Sequence, residues 1–309
     1  MNNPEFMQIA QMSKEEARKL IEQLRWPNGA VCPHCGSNKA YTITPKEGSS
    51  TRPGLYKCKE CTKQFTVTVG TIFEGSRIPL NKWLMAIYLM CASKKGISAH
   101  QLHRQLKITY KSAWFMCHRI RYAMTQEPMF SKIRGTVEAD ETYIGGKERN
   151  KHLNKRTKNA QGRSAKSKVP VAVLVERAGR VRAKKVADVS GKTLKGHIRK
   201  HVDKSARIVT DEWLAYQGLD KEFAGHDTVD HGRKEYVRGD VYTNTAESWI
   251  ALLKRGVIGT FHHVSEQHLD RYVDEFAFRW DNRIKADGER FVEAVKSVEG
   301  KRLIYKELK

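Results

Sequence analysis

The spacing of apolar residues divides the chain into regions of different secondary structure. Residues 13–25 place apolar side chains on one helical face behind a capping box of Ser13 and Glu16, which predicts a short helix. Residues 65–69 alternate apolar side chains with threonine, which is the period of a β-strand. Residues 79–124 carry helical periodicity with two breaks, which predicts three successive helices.

From residue 135 onward, strand and helix patterns follow one another in mixed order. GTVEADETYIGG predicts a strand, VPVAVLVERAGRVRAKKVADV a hairpin, ARIVTDEWLAY a buried strand and HDTVDH a short strand. Helical patterns in KTLKGHIRKHV and YTNTAESWIALLKRG complete the order β-β-β-α-β-(α)-β-α, and residues 265–281 add an aromatic-rich helix. We therefore predict an α/β domain with a mixed five-stranded sheet and helices.

Paired cysteines bracket the strand and turn segments that follow the first helix. Two C-x2-C pairs supply four thiolates, Cys32, Cys35, Cys58 and Cys61. Each tight pair delivers two soft ligands to a tetrahedral Zn²⁺, which predicts a zinc ribbon with one ion per chain. His34 lies within the first pair, but four thiolates already complete the coordination shell. Cys91 and Cys117 stand in apolar helical surroundings, so we expect them in the core.

An excess of positive charge points to a polyanionic partner. The 309-residue chain has 57 lysines and arginines against 34 acids, which gives a net charge of +23. Such an excess is self-repulsive unless a polyanion is bound, and this favours double-stranded DNA as the partner. No apolar run is long enough to span a bilayer, and the N-terminal residues lack the pattern of a signal peptide. We expect a cytoplasmic protein without a membrane partner.

A short helix, a tight turn and a basic helix make up the second part of residues 79–124. Ser98 is placed to cap the short helix and Thr109 to cap the basic one. In so basic a protein this favours a helix-turn-helix DNA-binding domain, with a plain three-helix bundle as the alternative. The positions predicted to face the core are Ala113, Cys117, Ile120 and Met124. The positions predicted to face a DNA groove are Tyr110, Lys111, Ser112 and His118.

Residues 147–168 are rich in lysine and arginine and almost free of apolar side chains. A segment of this composition cannot bury a core, which predicts disorder in the absence of a partner. A solvated loop is the simplest interpretation, and contact with DNA phosphates is the one that the net charge favours. The side chains predicted to make that contact are Arg149, Lys151, Lys155, Arg156, Lys158, Arg163, Lys166 and Lys168.

Three acids that are distant in sequence are expected to converge. Asp140 and Asp211 each end a predicted strand, and Glu247 begins a predicted helix. Carboxylates so placed repel one another unless divalent cations intervene, and oxygen ligands suit Mg²⁺ or Mn²⁺. Two such ions are the usual number where phosphodiesters are displaced. Glu247 also has a simpler interpretation, because it forms a possible capping box with Asn244.

Several side chains adjoin these three acids in the pattern. Glu247, Ala251 and Lys254 share one stripe of the predicted helix, which lines up a carboxylate, a small gap and a cation. Lys254 is either a phosphate partner or a solvated surface lysine. The neighbouring acids are Glu138, Glu141 and Glu212, of which Glu138 shares the strand parity of Asp140. His231, at the point where the last predicted strand turns toward the helix of Glu247, is a further possible neighbour of the three acids.

The segments that carry the acids resemble a known family. VEADETYIGGKE, IVTDEWLAYQGL and VYTNTAESWIALLKRGVIGTFHHVSEQHLDRYVDEFAFRW are similar to bacterial insertion-sequence DDE transposases with an N-terminal zinc ribbon, the ISXO2-like relatives of Merlin elements. The likeness extends from about Ser13 to Arg283. It implies an RNase H-like catalytic core with two Mg²⁺ or Mn²⁺ ions. It also implies that Asp140, Asp211 and Glu247 are the metal ligands and that Lys254 lies near the scissile phosphate.

The resemblance further implies a bacterial enzyme that works on DNA in the nucleoid. It would bind terminal inverted repeats, cleave the transposon ends to expose a 3′-OH and join them to target DNA, as a homodimer or larger assembly. The implied domains are residues 1–75 (helix and zinc ribbon), 76–130 (helix-turn-helix), 131–285 (catalytic, with the basic insertion 147–168) and 286–309 (helical tail). Two rival hypotheses are a zinc-ribbon transcription regulator and a structure-specific nuclease on the same fold.

Overall fold

The computed structural model describes residues 3–44, 51–125, 132–146, 150–157, 167–233 and 235–308. The helices are α1 (Phe6–Gln11), α2 (Lys14–Arg25), α3 (Leu80–Ala92), α4 (Ala99–Leu106), α5 (Tyr110–Met124), α6 (Gly191–His201), α7 (Asn244–Gly256), α8 (Leu269–Asp281) and α9 (Asp287–Lys296). The strands are β1 (Ala40–Thr42), β2 (Tyr56–Cys58), β3 (Gln64–Phe65), β4 (Thr136–Ile144), β5 (Val169–Glu176), β6 (Val181–Lys185), β7 (Arg207–Asp211) and β8 (Gly225–Val229).

The chain divides into two compact units. The first contains residues 1–124 and 284–309, and the second contains residues 125–283. Within the described ranges, none of the helices has both the length and the apolar character that a membrane span requires.

In the first unit, β1, β2 and β3 form a small antiparallel sheet around the cysteine pairs. The rings of Trp26, Tyr56 and Phe65 contact one another beside this sheet, with the centroids of Tyr56 and Phe65 5.6 Å apart. β3 ends at Phe65 and is shorter than the strand predicted for residues 65–69, because the backbone turns back directly after Phe65. Aromatic packing and the sheet together fix the spacing of the cysteines.

A tight turn joins α4 and α5, as the pattern predicts. Ser98 Oγ accepts the N–H of Gln101, and Thr109 Oγ1 accepts the N–H of Ser112, each at 3.2 Å. Between the two helices Lys107 adopts a left-handed conformation with φ of 49°, which ends α4. The positions of α5 that were predicted to face the core are all buried, namely Ala113, Cys117, Ile120 and Met124.

A buried arginine holds the C-terminal residues within the first unit. Nε of Arg119 in α5 donates to the carbonyl of Leu303 at 3.0 Å. Its other two nitrogens donate to the carbonyls of Ile72 and Glu74, both at 2.9 Å. One guanidinium therefore satisfies three carbonyls from two distant segments, with hydrogen bonds that its charge strengthens. Residues 286–309, the predicted helical tail, belong to the first unit.

The second unit is built on a mixed five-stranded sheet in the order β6-β5-β4-β7-β8. β4, β5 and β6 are antiparallel neighbours, whereas β4, β7 and β8 run parallel. This arrangement, with its helices in the predicted sequence positions, confirms the prediction of an α/β core of the RNase H-like type. β5 has both faces buried, which explains its nearly continuous apolar sequence.

The helices of the second unit cover opposite faces of the sheet. On one face Leu194 and Ile198 of α6 pack with Leu174 of β5. On the other face α7 and α8 pack on the odd-numbered residues of β5, and Trp249 of α7 is fully buried there. Asp140 lies opposite Val173 in the sheet, so this first acid belongs to the face that α7 covers.

Candidate active site and zinc centre

Two of the predicted acids lie level with each other on adjacent parallel strands. Glu138 of β4 is paired with Val209 of β7. Two residues further along each strand come Asp140 and Asp211, which therefore occupy matching positions. Asp211 is the last residue of β7 as predicted, but Asp140 does not end its strand, because pairing with β5 continues β4 to Ile144. The third acid, Glu247, lies in the first turn of α7 on the same face.

Electrostatics show that the three acids share one region. Burial raises the pKa of Asp140 to about 7, and the charges of Glu141, Asp211 and Glu247 add to this effect. The N–H of Glu141 donates to Asp140 Oδ1 at 2.7 Å and opposes the rise. Burial is the main cause of the raised pKa, and the smaller contributions of Asp211 and Glu247 indicate that these two acids lie near Asp140, since repulsion between charges weakens with distance.

The donor set of this region suits a hard divalent cation. It consists of carboxylate oxygens, which Mg²⁺ and Mn²⁺ prefer. Among the described residues, the donor atoms of the four cysteines all lie within 4.8 Å of one another. The donor atoms of the three acids do not meet this distance. The carboxylate oxygens of the three acids are therefore farther apart than the four sulfurs.

The exposed stripe of α7 runs from Glu247 to Lys254. Both of these charged residues are exposed and Ala251 between them is partly exposed. The opposite side of the helix is buried in the core through Trp249, Ile250, Leu252 and Leu253. The structure therefore presents the carboxylate, the small gap and the cation on one accessible face.

Glu247 does not cap α7, so the expected capping box with Asn244 is wrong. The helix begins one residue earlier than that box requires, with Thr243 at the N-cap position. Glu138 of β4 supplies the cap instead. Its carboxylate accepts the N–H of Thr245 at 2.8 Å and that of Ala246 at 2.9 Å, and it also accepts the Thr245 hydroxyl at 2.9 Å. Glu138 is fully buried, and these bonds explain why.

Arg177 completes the network around Glu138. Its Nε donates to Glu138 Oε1 at 2.7 Å, and its other nitrogens donate to the carbonyls of Asp240 at 2.6 Å and Tyr242 at 2.8 Å. The guanidinium also stacks over the Tyr242 ring, 3.7 Å from its centroid. The start of α7 is therefore fixed to β4 two residues before Asp140. The sequence indicated that Glu138 lies on the same face of the strand as Asp140. Nothing in the sequence pattern indicated the role of Arg177.

The other two neighbouring acids also have partners of their own. Glu141 accepts the hydroxyl of buried Tyr216 at 3.0 Å. Glu212 accepts the N–H of His231 at 3.0 Å and that of Gly232 at 3.3 Å. His231, a possible neighbour of the site from its position in the sequence, has its Nε2 3.7 Å from Glu247 Oε1.

The predicted ligands of the zinc ribbon come together in the first unit. Their sulfurs all lie within 4.8 Å of one another, and the pairs Cys32–Cys61 and Cys35–Cys58 are each 3.6 Å apart. Thiolates on a tetrahedral Zn²⁺ stand about 3.8 Å apart, so the four residues fit that ion. The Cys61 N–H, acting against burial, lowers the pKa of Cys58 to about 7, which favours the thiolate form.

The residues predicted to face a DNA groove do not all do so. Tyr110 is exposed and stacks on His100 with centroids 4.2 Å apart, and Lys111 Nζ lies 4.9 Å from the ring centroid of Tyr305. Ser112 is partly exposed. The prediction for His118 is wrong, because this side chain is fully buried against Trp114. α5 packs on several sides, since α3, α4 and α9 all contact it, and this leaves His118 no groove-facing side.

Part of the basic segment lies outside the described residues, namely Arg149, Lys158, Arg163 and Lys166. Lys155 and Arg156 are exposed, and Lys151 and Lys168 are partly exposed. Leu153 and Lys155 belong to a short 3₁₀ turn, and Arg156 Nε donates to the Lys151 carbonyl at 3.1 Å.

Comparison with known proteins identifies the family. The ISXO2-like transposase domain matches residues 132–281, and the transposase zinc-ribbon domain matches residues 12–64. An uncharacterized protein in transposable element ISH50 of Halobacterium salinarum is 31% identical over 279 residues, which is 87% of this chain and 91% of the relative. The chain belongs to the ISXO2-like transposase family. This confirms the resemblance that the acid-bearing segments carry.

One solved structure is also similar to this transposase in part. It is a cryoEM structure of the simian T-cell lymphotropic virus intasome in complex with PP2A regulatory subunit B56 gamma, 16% identical over 59% of this chain and 68% of that chain. The TM-score is 0.28, so this likeness supports no argument about the fold or the function of the transposase.

We predict that the purified transposase carries about one zinc ion per chain and that Cys58→Ser releases it. The serine hydroxyl is a poor zinc ligand, and three thiolates hold the ion less tightly than four. Metal content measured by mass spectrometry tests this, with Cys91→Ala as a control that removes a cysteine far from the cluster in sequence. A full zinc content in Cys58→Ser would contradict the ribbon assignment.

We predict that Glu138→Gln lowers the free energy of unfolding by about 3 kcal/mol, because it breaks a buried ion pair and turns an amide donor toward backbone donors. Chemical denaturation measures the change. Glu266→Gln is the matched control, since the exposed pair of Glu266 with Lys185 (3.7 Å) is worth less than about 1 kcal/mol. Equal stability of the two variants would show that Glu138 does not hold α7.

Proposed function

We propose that this transposase cuts the ends of an insertion sequence and joins them to new DNA, with Asp140, Asp211 and Glu247 as its catalytic acids. The observation that carries the proposal is the convergence of these acids at one end of the sheet within the matched transposase domain. Asp140 is preferred to Glu138 because Glu138 is fully buried in the hydrogen bonds that hold the start of α7. The resemblance to DDE transposases selects Asp140, Asp211 and Glu247.

We propose Mg²⁺ for this site, with Mn²⁺ as its substitute and two ions per site. The carboxylates of the three acids would hold them. Such a pair supplies positive charge to the attacking and the leaving oxygen of a phosphodiester displacement. The chain's own residues orient the DNA. Lys254 pairs with a phosphate near the scissile bond, and the small side chain of Ala251 leaves room for the DNA backbone beside α7.

The proposed reaction has two displacements at phosphorus. In the first, a water oxygen attacks at the transposon end and the bond to the 3′ oxygen breaks, which leaves a 3′-OH on the transposon. In the second, this 3′-OH attacks a target phosphodiester, which joins the end to target DNA and frees a target 3′-OH. Both are in-line displacements without a covalent enzyme intermediate. Because two ends are joined, we propose at least a homodimer when the transposase is assembled on DNA.

Recognition of the DNA is assigned to other parts of the chain. We propose that the zinc ribbon and the α4–α5 pair read the terminal inverted repeats, with Tyr110, Lys111 and Ser112 of α5 toward the DNA. The basic segment 147–168 would bind phosphates without regard to sequence. The net charge of +23 supports this division, since most of the affinity for DNA comes from phosphate contacts. A place of action in the bacterial cytoplasm, at the nucleoid, remains a prediction.

Two rival functions make different predictions. A zinc-ribbon transcription regulator needs no catalytic acids, so it offers no reason for the crowded carboxylates around Asp140. A nuclease on the same fold would cut DNA ends without joining them. An assay for joined products on the DNA that flanks the coding region distinguishes all three, because a regulator gives no products and a nuclease gives cut products alone.

We predict that Glu247→Gln lowers strand cleavage and joining by orders of magnitude while folding and end binding persist. Since Glu138 caps α7, the loss cannot be assigned to helix capping. Lys254→Ala should cost less, about 10–1000-fold, as for the removal of one charged group beside the reacting strand. The measurement is Mg²⁺-dependent nicking and joining of a labelled terminal repeat, with Ser248→Ala, on an exposed neighbour, as the control. Near-normal nicking by folded Glu247→Gln would remove Glu247 from the active site.

We predict that replacing Lys151, Lys155 and Arg156 by alanine weakens binding to unrelated DNA sequences about equally. It should also flatten the salt dependence by about one unit for each phosphate that the variant no longer neutralises. Replacing Tyr110 or Lys111 should weaken binding to the terminal repeat selectively. Titration of both duplexes at several salt concentrations measures this. An equal loss on both duplexes from both sets of variants would rule out the helix-turn-helix assignment.

A further inference from the structure

Four large apolar side chains are exposed on two short segments that adjoin the acids, and we call them the apolar rim: Trp213, Leu214, Tyr236 and Val237. Their exposed fractions are 36%, 74%, 59% and 53%. Trp213 and Leu214 follow Asp211 within three residues along the chain. Single exposed apolar side chains need no explanation, but a group of them beside a polar site marks a binding surface.

The first segment of the rim is held in place by the acid region itself. The N–H of Trp213 donates to Asp211 Oδ1 at 3.2 Å. Leu214 begins a 3₁₀ turn that ends at Tyr216, and the buried Tyr216 hydroxyl donates to Glu141 at 3.0 Å. Trp213 and Leu214 are therefore presented by a turn that is anchored at both ends. An exposed ring on an anchored turn is preorganised for a partner.

The second segment reaches the same acids from the other direction. The Tyr236 ring contacts the His231 ring, with centroids 5.5 Å apart, and His231 Nε2 lies 3.7 Å from Glu247 Oε1. Glu212, the residue between Asp211 and Trp213, accepts the N–H groups of His231 and Gly232. Glu212 thus connects the turn that carries Trp213 to the turn at His231, whose ring contacts Tyr236.

The chemistry of the rim differs from that of a groove for intact duplex DNA. A duplex presents phosphates and base edges to a protein, whereas an unpaired base presents a flat π face on which tryptophan and tyrosine stack. Arg233 and Arg238, which flank Tyr236 in sequence, are exposed and form surface ion pairs with Asp230 (3.2 Å) and Glu235 (3.7 Å). Because surface ion pairs are weak, these guanidinium groups can turn to the phosphates of that strand.

We propose that the apolar rim binds unpaired bases of the DNA end next to the scissile phosphate, with Trp213 and Tyr236 as the stacking residues. This deepens the proposed function and rests on it. The substrate that fits the site is then a DNA end whose last base pairs are open. Stacking on the rim stabilises the open form and brings the phosphate of the separated strand to Asp140, Asp211 and Glu247.

The first test measures binding of fluorescein-labelled oligothymidylate and of a fully paired duplex of equal length to the full chain. Tyr236→Leu and Trp213→Leu keep an apolar side chain without a π system, and each should weaken oligothymidylate binding about tenfold while duplex binding stays within about twofold. Trp213→Phe should keep most of the affinity. Ile284→Ala, at a residue that is 90% exposed, is the control. Equal affinities of the leucine variants and the unaltered chain for oligothymidylate would overturn the proposal.

The second test uses cleavage of duplexes from the DNA that flanks the coding region, either fully paired or mismatched at the terminal base pairs. Tyr236→Leu should lose about tenfold in cleavage of the paired end and recover on the mismatched end, because opening is then already achieved. A merely structural defect would lower both equally, and that result would overturn the proposal. Failure of the unaltered chain to cut either duplex would overturn the proposed function instead. The oligothymidylate measurement would still show whether the apolar rim binds unpaired bases.

Discussion

The arrangement of the three proposed catalytic acids depends on one buried carboxylate that joins a strand to a helix. Glu138 of β4 accepts the first free N–H groups of α7 and pairs with Arg177, which in turn holds the backbone at Asp240 and Tyr242. Asp140 is two residues from Glu138 on the strand, and Glu247 is two residues from Thr245 on the helix. The Glu138 carboxylate therefore sets the distance between Asp140 and Glu247. Because this carboxylate is buried and hydrogen-bonded on several sides, it holds a fixed position.

Near the contact between β4 and α7, acids that look alike in the sequence have different roles because their surroundings differ. Glu138 holds the helix, Glu141 holds Tyr216 and Glu212 holds the turn at His231. Asp140 is instead buried near other acids, and burial is the main reason that its pKa is raised to about 7. Hydrogen-bonded carboxylates of this kind hold the backbone on both sides of a site, and such supporting contacts keep the groups within it in fixed positions.

The first unit solves a different problem, that of stabilising a small sheet and a long helical segment. The zinc ribbon contains only short strands, so four thiolates and a cluster of aromatic rings replace an extensive core. Arg119 then joins α5 to the segment after the ribbon and to the C-terminal residues through three carbonyls. The cysteine cluster and Arg119 each hold several chain segments together through polar groups. Such contacts suit a chain in which 29% of the residues are charged.

The sequence by itself determined the elements and the chemistry that depend on local order. Cysteine spacing predicted the four thiolates that come together, apolar periodicity predicted the order of strands and helices, and motif likeness indicated the family. The tertiary structure alone decided which group each supporting acid contacts, since Glu138 meets α7 across more than a hundred residues of chain. It also buried His118 on a helix that is packed on several sides. Local patterns record which residues share a face, but a hydrogen bond between distant segments exists only after folding has brought the segments together.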